Sequence, residues 1–95
     1  MEYIQPTIIN VIEDLPSEFS THQFILELAK THQHDYIREL YENIESEKPF
    51  QKLHAKLGKH LKSLDGTVIS FIRPDKVDKD IFGQLSGNAL WAKRS

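Results

Sequence analysis

Residues 49–64 have the sequence PFQKLHAKLGKHLKSL, and they carry the clearest structural signal in the chain. Pro49 stands where proline often begins a helix, and Gly66 stands where glycine often ends one. At about 100° per residue, one side of this helix collects Phe50, Leu53, His54, Leu57, Leu61 and Leu64. The opposite side collects Lys52, Lys56, Lys59 and Lys62. The stretch therefore predicts a helix with a buried leucine face and a lysine face in solvent.

The residues before this helix predict further helical structure. Pro6 and the apolar spacing after it predict a first helix over residues 6–14, which Pro16 ends. Ser20 or Thr21 is a candidate N-cap for a second helical region. Its apolar positions are Phe24, Ile25, Leu28, Tyr36, Ile37, Leu40, Tyr41 and Ile44. The pattern leaves open whether residues 21–44 form one helix or two, and the polar segment at residues 31–35 favours a break.

Three histidines are candidates either for metal ligands or for structural roles. His32 and His34 are two residues apart, so on a helix they point to different faces and do not converge on one ion. We therefore expect a polar turn there and no metal site. His54 borders the leucine face of residues 49–64, which predicts a packed and hydrogen-bonded histidine.

The period changes from helical to extended after Gly66. Residues 67–72 are rich in β-branched and aromatic residues, which predicts a strand. Residues 73–88 contain one proline, two glycines and several charges and predict a long loop, and residues 89–94 predict a returning strand with Trp91 in the core. The predicted fold class is α+β, with three or four helices followed by a C-terminal β-hairpin.

Length and composition limit the classes of protein that the chain can belong to. Its 95 residues, 39% of them hydrophobic, predict a single folded domain over residues 1–95. The absence of cysteine excludes disulfides, thiol catalysis and thiolate metal sites. We find no signal peptide and no apolar run long enough to span a bilayer, so we expect a soluble cytoplasmic protein that does not bind membranes.

The net charge of −2 conceals an asymmetry between the two halves of the chain. Residues 1–47 contain ten acids and two bases, a balance of −8, whereas residues 48–95 contain ten bases and four acids, a balance of +6. Such an asymmetry indicates either a basic surface that meets a polyanion or two halves that attract each other in the fold.

The order of predicted elements resembles that of winged-helix domains over nearly the whole chain. The resemblance consists of helices, a last helix with a basic outer face, and then a two-stranded hairpin with a charged loop. It implies that residues 49–64 are a recognition helix in the DNA major groove, and that residues 73–88 are a wing on the backbone or minor groove. Some winged helices bind only proteins, so the fold alone does not assign the function.

The leading prediction is a non-catalytic nucleic-acid-binding module, most simply one for duplex DNA. Each Lys or Arg that neutralises a phosphate releases counterions and adds affinity. Gln51 is the main side chain on the helix suited to contacting base edges, so binding should be dominated by backbone and shape. The predicted contact residues are Gln51, Lys52, Lys56, Lys59, His60, Lys62, Arg73, Lys76 and Lys79.

Two other interpretations remain at this point. The lysines can form an ordinary solvated helix face, or the chain can be a protein-interaction module or a small homodimeric adaptor that docks through residues 21–44 or the lysine face. We expect no enzyme, no cofactor and no catalytic residue, because the sequence has no Gly-rich phosphate loop and no nucleophile elbow.

Overall fold

A computed structural model of the chain describes residues 3–94. Its elements are a 3-10 turn at Gln5–Thr7, α1 at Ile8–Glu13, β1 at Glu18–Ser20, α2 at Thr21–Thr31, α3 at Gln33–Glu42, α4 at Pro49–Ser63, β2 at Ile69–Lys79 and β3 at Leu85–Lys93. The strands form an antiparallel sheet in the order β1-β3-β2. The α+β class is confirmed, and this order of elements is compatible with a winged-helix layout. No helix within residues 3–94 is long and apolar enough to cross a membrane.

The break predicted between residues 21 and 44 is confirmed, and it is one residue wide. Ser20 is the N-cap of α2: its Oγ accepts the Gln23 N–H at 3.1 Å, while Gln23 Oε1 accepts the Ser20 N–H at 2.8 Å. This reciprocal pair satisfies two backbone donors at the start of the helix. His32 separates α2 from α3 with φ −129° and ψ 57°, which is not helical geometry, and its Nδ1 lies 3.0 Å from Thr31 Oγ1.

The long loop predicted at residues 73–88 is wrong. Strand β2 continues to Lys79 and β3 begins at Leu85, so a short turn replaces the loop. Pro74 is accommodated because β2 lies at the edge of the sheet and its register shifts on both sides of Arg73. In the turn, Asp80 Oδ1 accepts the N–H groups of residues 82 and 84, and Gly83 takes a φ of +81°.

The core forms where α4 packs against the other helices and the sheet. Leu53, Leu57 and Leu61 are completely buried, which confirms the leucine face predicted for this helix. Trp91 is 3% exposed, so its predicted core position is also confirmed. The indole N–H donates to Thr21 Oγ1 at 3.0 Å, so burial leaves this polar group hydrogen-bonded.

Helix α3 buries only part of the apolar set that its sequence indicates, because Tyr36 is buried and Leu40 packs against the core while the other members are exposed. Ile37, Tyr41 and Ile44 are 59%, 68% and 54% exposed, whereas Glu39 is 4% exposed and Asn43 is also buried. The Glu39 carboxylate accepts the N–H groups of the segment before the 3-10 turn, at 3.0 Å from residue 3 and 3.2 Å from residue 4. A buried acid therefore anchors the first described residues, and an apolar stripe faces outward.

Candidate nucleic-acid interface

The lysine face of α4 has the geometry that its sequence predicts. Gln51, Lys52, Lys56, Lys59 and Lys62 are all exposed, and His60 is half-buried at the border of the face. Within residues 3–94, Arg73–Asp75 is the pair of a lysine or arginine with a carboxylate within 4.0 Å, and the His22 imidazole lies 2.8 Å from Asp78. The α4 lysines thus face solvent together, and none of them forms an ion pair with a described carboxylate.

A shallow depression of about 420 Å³ lies on this face, and it is lined by Lys56, Lys59, His60 and Ser63. Lys56 is oriented by the loop after α3, because its ammonium group donates to Asn43 Oδ1 at 2.7 Å. Two ammonium groups and an imidazole can each donate a hydrogen bond to one oxyanion, whereas the Ser63 hydroxyl donates to the His60 carbonyl oxygen. The depression is therefore suited to a phosphate group.

Acidic side chains border one flank of the lysine face. A second depression, about 360 Å³ in volume, is lined by Glu42, Glu45, Lys52 and Lys56 together with Asn43 and Ser46. Negative charge on this side opposes the approach of a polyanion near Lys52. The positive surface is consequently strongest toward the C-terminal half of α4.

The cations predicted for the wing lie on strand β2. Lys79 and Arg73 are exposed, and Lys76 is half-buried with its carbonyl oxygen accepting from Asn88 Nδ2 at 3.0 Å. Arg73 Nε lies 3.4 Å from Asp75 Oδ1, so this guanidinium already has an acidic partner. Neither depression beside Lys56 is lined by a hairpin residue.

The hairpin turn is nevertheless fixed against the beginning of α4. The ring of Phe82 meets the ring of Phe50 edge to face, with centroids 5.0 Å apart.

No protein-family model, no curated protein and no solved structure matches the chain. The chemistry of the surface is therefore the basis for assigning it a ligand.

A cluster that the sequence did not indicate, here called the Asp78 clamp, joins the hairpin to the start of α2. It consists of Ser20, His22, Asp78 and Asn88. The Ser20 hydroxyl donates to Asp78 Oδ2, while Asn88 Nδ2 and His22 Nδ1 each lie 2.8 Å from Asp78 Oδ1. Asn88 Oδ1 also accepts the His22 N–H at 2.8 Å. No local pattern could reveal this cluster, because Ser20 and Asp78 are 58 residues apart.

Ser86 lies on the other side of the His22 ring from Asp78. Its Oγ is 3.4 Å from His22 Nε2, which is longer than an ordinary hydrogen bond to a hydroxyl. The order serine, histidine, aspartate occurs in hydrolases, where a close serine–histidine contact activates the nucleophile. The long contact here and the well-bonded Asp78 fit a structural role for the Asp78 clamp.

We expect the substitution Asp78→Asn to lower the free energy of unfolding by about 2 kcal/mol at pH 7, because hydrogen bonds to a charged acceptor are lost. Burial acts to raise the pKa of the Asp78 carboxyl, but hydrogen bonds from Ser20, Asn88 and His22 outweigh it and hold the pKa below its ordinary value. The charged form therefore stabilises the fold above about pH 4, and this contribution is lost as the pH falls through the folded-state pKa.

Urea denaturation of both proteins at several pH values measures this effect. The difference between the wild type and Asp78→Asn should shrink below about pH 4. Asp75→Asn is the matched control, because Asp75 is exposed on the same strand and makes only the surface pair with Arg73. Equal stabilities of the wild type and Asp78→Asn at pH 7 would show that the Asp78 clamp does not hold the hairpin.

His54 is the packed, hydrogen-bonded histidine that the sequence predicts. Its Nε2 lies 2.7 Å from the Tyr36 hydroxyl. Burial lowers the pKa of His54 and raises the pKa of Tyr36 to about 12, so both side chains are uncharged at pH 7. This pair belongs to the core, and the histidine that lies beside the α4 lysines is His60.

Proposed function

We propose that the chain is a non-catalytic nucleic-acid-binding module that holds duplex DNA mainly through the lysine face of α4. The observation that carries the proposal is the set of exposed ammonium groups on one helix face, without ion pairs to described carboxylates. A solvated helix face in an ordinary protein commonly intersperses charges of both signs. Here, no acid occurs between Lys48 and Leu64.

The dimensions of the face suit a nucleic-acid backbone. From Lys52 to Lys62 the helix axis extends about 15 Å at 1.5 Å per residue. Duplex DNA carries a phosphate charge about every 1.7 Å of its axis, so a 15 Å length of duplex contains roughly nine phosphate charges. The depression beside Lys56 and Lys59 can hold one phosphate, and Lys62 can contact another. Gln51 is suited to a base edge, and one such side chain supports binding dominated by the backbone.

The hairpin provides a second contact in this proposal. Lys79 is exposed near the hairpin turn, and the Phe82–Phe50 contact fixes that turn beside the start of α4. Arg73 can exchange its exposed partner Asp75 for a phosphate at small cost, because surface ion pairs contribute little. A winged-helix docking mode, with a helix in the major groove and a hairpin on the adjacent backbone, would use both contacts.

A fluorescence-anisotropy titration with a random duplex at two salt concentrations tests the proposal. If three or four phosphates are neutralised, the affinity should fall about 40-fold to 150-fold between ~50 mM and ~200 mM salt. A parallel titration with a single strand and with duplex RNA identifies the preferred polymer. Absence of binding to any of them at the lower salt concentration would contradict the proposal.

An exposed apolar stripe, formed by Ile37 and Tyr41 of α3 and by Ile44 in the turn after it, favours a second candidate function, which is docking to another protein or to a second copy of the chain. Ile37, Tyr41 and Ile44 follow one another at spacings of four and three residues, and each is more than half exposed. Contiguous exposed apolar side chains mark interaction surfaces more often than isolated ones do. Association through this stripe should tolerate salt, and sedimentation at increasing protein concentration would detect a dimer that Tyr41→Asp disrupts.

A further inference from the structure

A cleft of about 500 Å³ lies between α4 and the hairpin, next to the lysine face. Its volume falls within the usual range of ligand sites, about 300–1,000 Å³. Gly58 and Lys62 contribute the α4 side of the cleft, and Phe71 and Trp91 contribute the hairpin side. The cleft thus combines an aromatic surface with a cation from the same helix face that is proposed to contact phosphates. Asp65 also lines the cleft, and its carboxylate is engaged by the backbone of the hairpin side.

Gly58 keeps the α4 side of the cleft free of a side chain. Glycine disfavours a helix interior, and this glycine lies in the middle of a 15-residue helix. The positive φ angles of the described residues belong to Gly66 and Gly83, so the backbone at Gly58 does not require glycine. A Cβ atom there would meet Thr21 Cγ2 at 4.0 Å, which is an ordinary contact. The fold does not explain this glycine, whereas an open cleft does.

The opposite side of the cleft presents an aromatic ring that is held in place. Phe71 is 45% exposed, and its ring meets the buried Trp91 edge to face at 5.5 Å between centroids. The backbone N–H of Phe71 donates to Asp65 Oδ1 at 2.9 Å, which fixes the strand at this point. A ring that is supported on one side and open on the other is suited to stacking with a second flat ring.

The position of Lys62 at the cleft favours a nucleotide as the ligand over an apolar side chain of a protein partner. It is exposed on α4 one turn after Lys59, so the row of ammonium groups leads to the edge of the cleft. An apolar side chain of a protein partner would not need a cation at this edge. A nucleotide has both a flat ring for Phe71 and a phosphate for Lys62.

We propose that the cleft receives one unpaired base of the bound nucleic acid, stacked on Phe71 with its phosphate at Lys62. This inference rests on the proposed function, because the lysine face must bring the polymer to the cleft. An unpaired base costs less to insert than a paired one, since no stacking or pairing has to be broken. The protein should therefore prefer a duplex that carries a bulged base.

The test compares a duplex that contains one bulged base with the same duplex fully paired. Stacking of one base on an aromatic side chain predicts roughly fivefold to 100-fold tighter binding of the bulged duplex. Trp91 is the one tryptophan in the sequence, so its emission reports directly on the cleft. We expect the bulged duplex to change this emission and the paired duplex to leave it nearly unchanged.

Gly58→Leu fills the cleft without altering a cation, so it should remove the preference and leave binding to the paired duplex intact. Gly58→Ala is the matched control, because a Cβ alone leaves the cleft open. Phe71→Ala removes the stacking surface from the hairpin side, and it should abolish the preference even where Gly58→Leu perturbs the helix. Salt-dependent binding of both duplexes with no preference would overturn this inference alone, and no binding to either would overturn the proposed function with it.

Discussion

Replacing Lys56 and Lys59 together by glutamate is expected to weaken duplex binding by about 100-fold or more at ~50 mM salt. Each change removes a cation that can neutralise a phosphate and places a carboxylate against the polyanion. Both side chains are exposed, and the described partner of Lys56 is the amide oxygen of Asn43. Loss of the Lys56 donor to the buried Asn43 amide should cost about 1 kcal/mol of stability, so urea denaturation must first show that the variant is folded before anisotropy titrations measure its binding.

The matched control for this pair is Lys30→Glu with Arg38→Glu. These residues are exposed on α2 and α3, and their replacement changes the net charge by the same amount. If overall charge governed binding, both double variants would lose affinity equally. A loss confined to the Lys56 and Lys59 variant assigns the binding to the lysine face, and equal losses would contradict that assignment.

Glu39→Ala is expected to lower the free energy of unfolding by about 3 kcal/mol. The buried carboxylate accepts the backbone N–H groups of Tyr3 and Ile4, and the Ile4 side chain is itself completely buried. Alanine leaves both donors without their acceptor, and the Ile4 N–H is buried away from water. The loss should appear in urea denaturation as a lower midpoint with an unchanged slope.

Two further variants distinguish the effect of losing the Glu39 carboxylate from the effect of substituting any residue of α3. Glu39→Gln keeps one acceptor oxygen and should lose about half as much stability as the alanine variant. Glu42→Ala changes an exposed acid on the same helix and should have an effect below about 0.5 kcal/mol. If Glu39→Ala were as stable as Glu42→Ala, the buried carboxylate would not be an anchor for the start of the chain.

Local sequence patterns correctly predicted the elements whose start and end are determined by residues close to them in sequence. Helix α4 follows from its leucine spacing and from the proline that begins it, and the observed bounds differ by one residue from those expected. The capping box at Ser20 and the polar residues around His32 likewise place the start and the end of α2. In each case the signal lies within one or two helical turns of the element it determines.

The hairpin shows why the same method fails for strands. By local preference, loops favour Pro74, Gly83 and Gly87. In the structure, an edge strand with register shifts accommodates the proline. The turn requires a positive φ at Gly83, whereas Gly87 lies within β3. Strand β1 has three residues and exists because it pairs with β3. Such pairing partners are distant in sequence, and periodicity does not identify them.

The clearest disagreement between pattern and structure lies on α3 and in the Asp78 clamp. The predicted apolar face of α3 is buried at Tyr36 and Leu40, but tertiary packing also placed Glu39 inside, where two backbone donors have it as their acceptor. Asp78 belongs to a run of charges that indicated an exposed loop, yet it is bonded to Ser20 and Asn88. Hydrogen bonds between distant segments decided both positions.

A ¹⁵N NMR titration of the chain with a random duplex tests the central claim most directly, because it maps contacts residue by residue. The account predicts that the largest amide shifts lie in α4 from Lys52 to Lys62, with smaller shifts near Lys79, and that all of them fade as salt increases. Shifts centred instead on Ile37 and Tyr41, with α4 unperturbed, would contradict it.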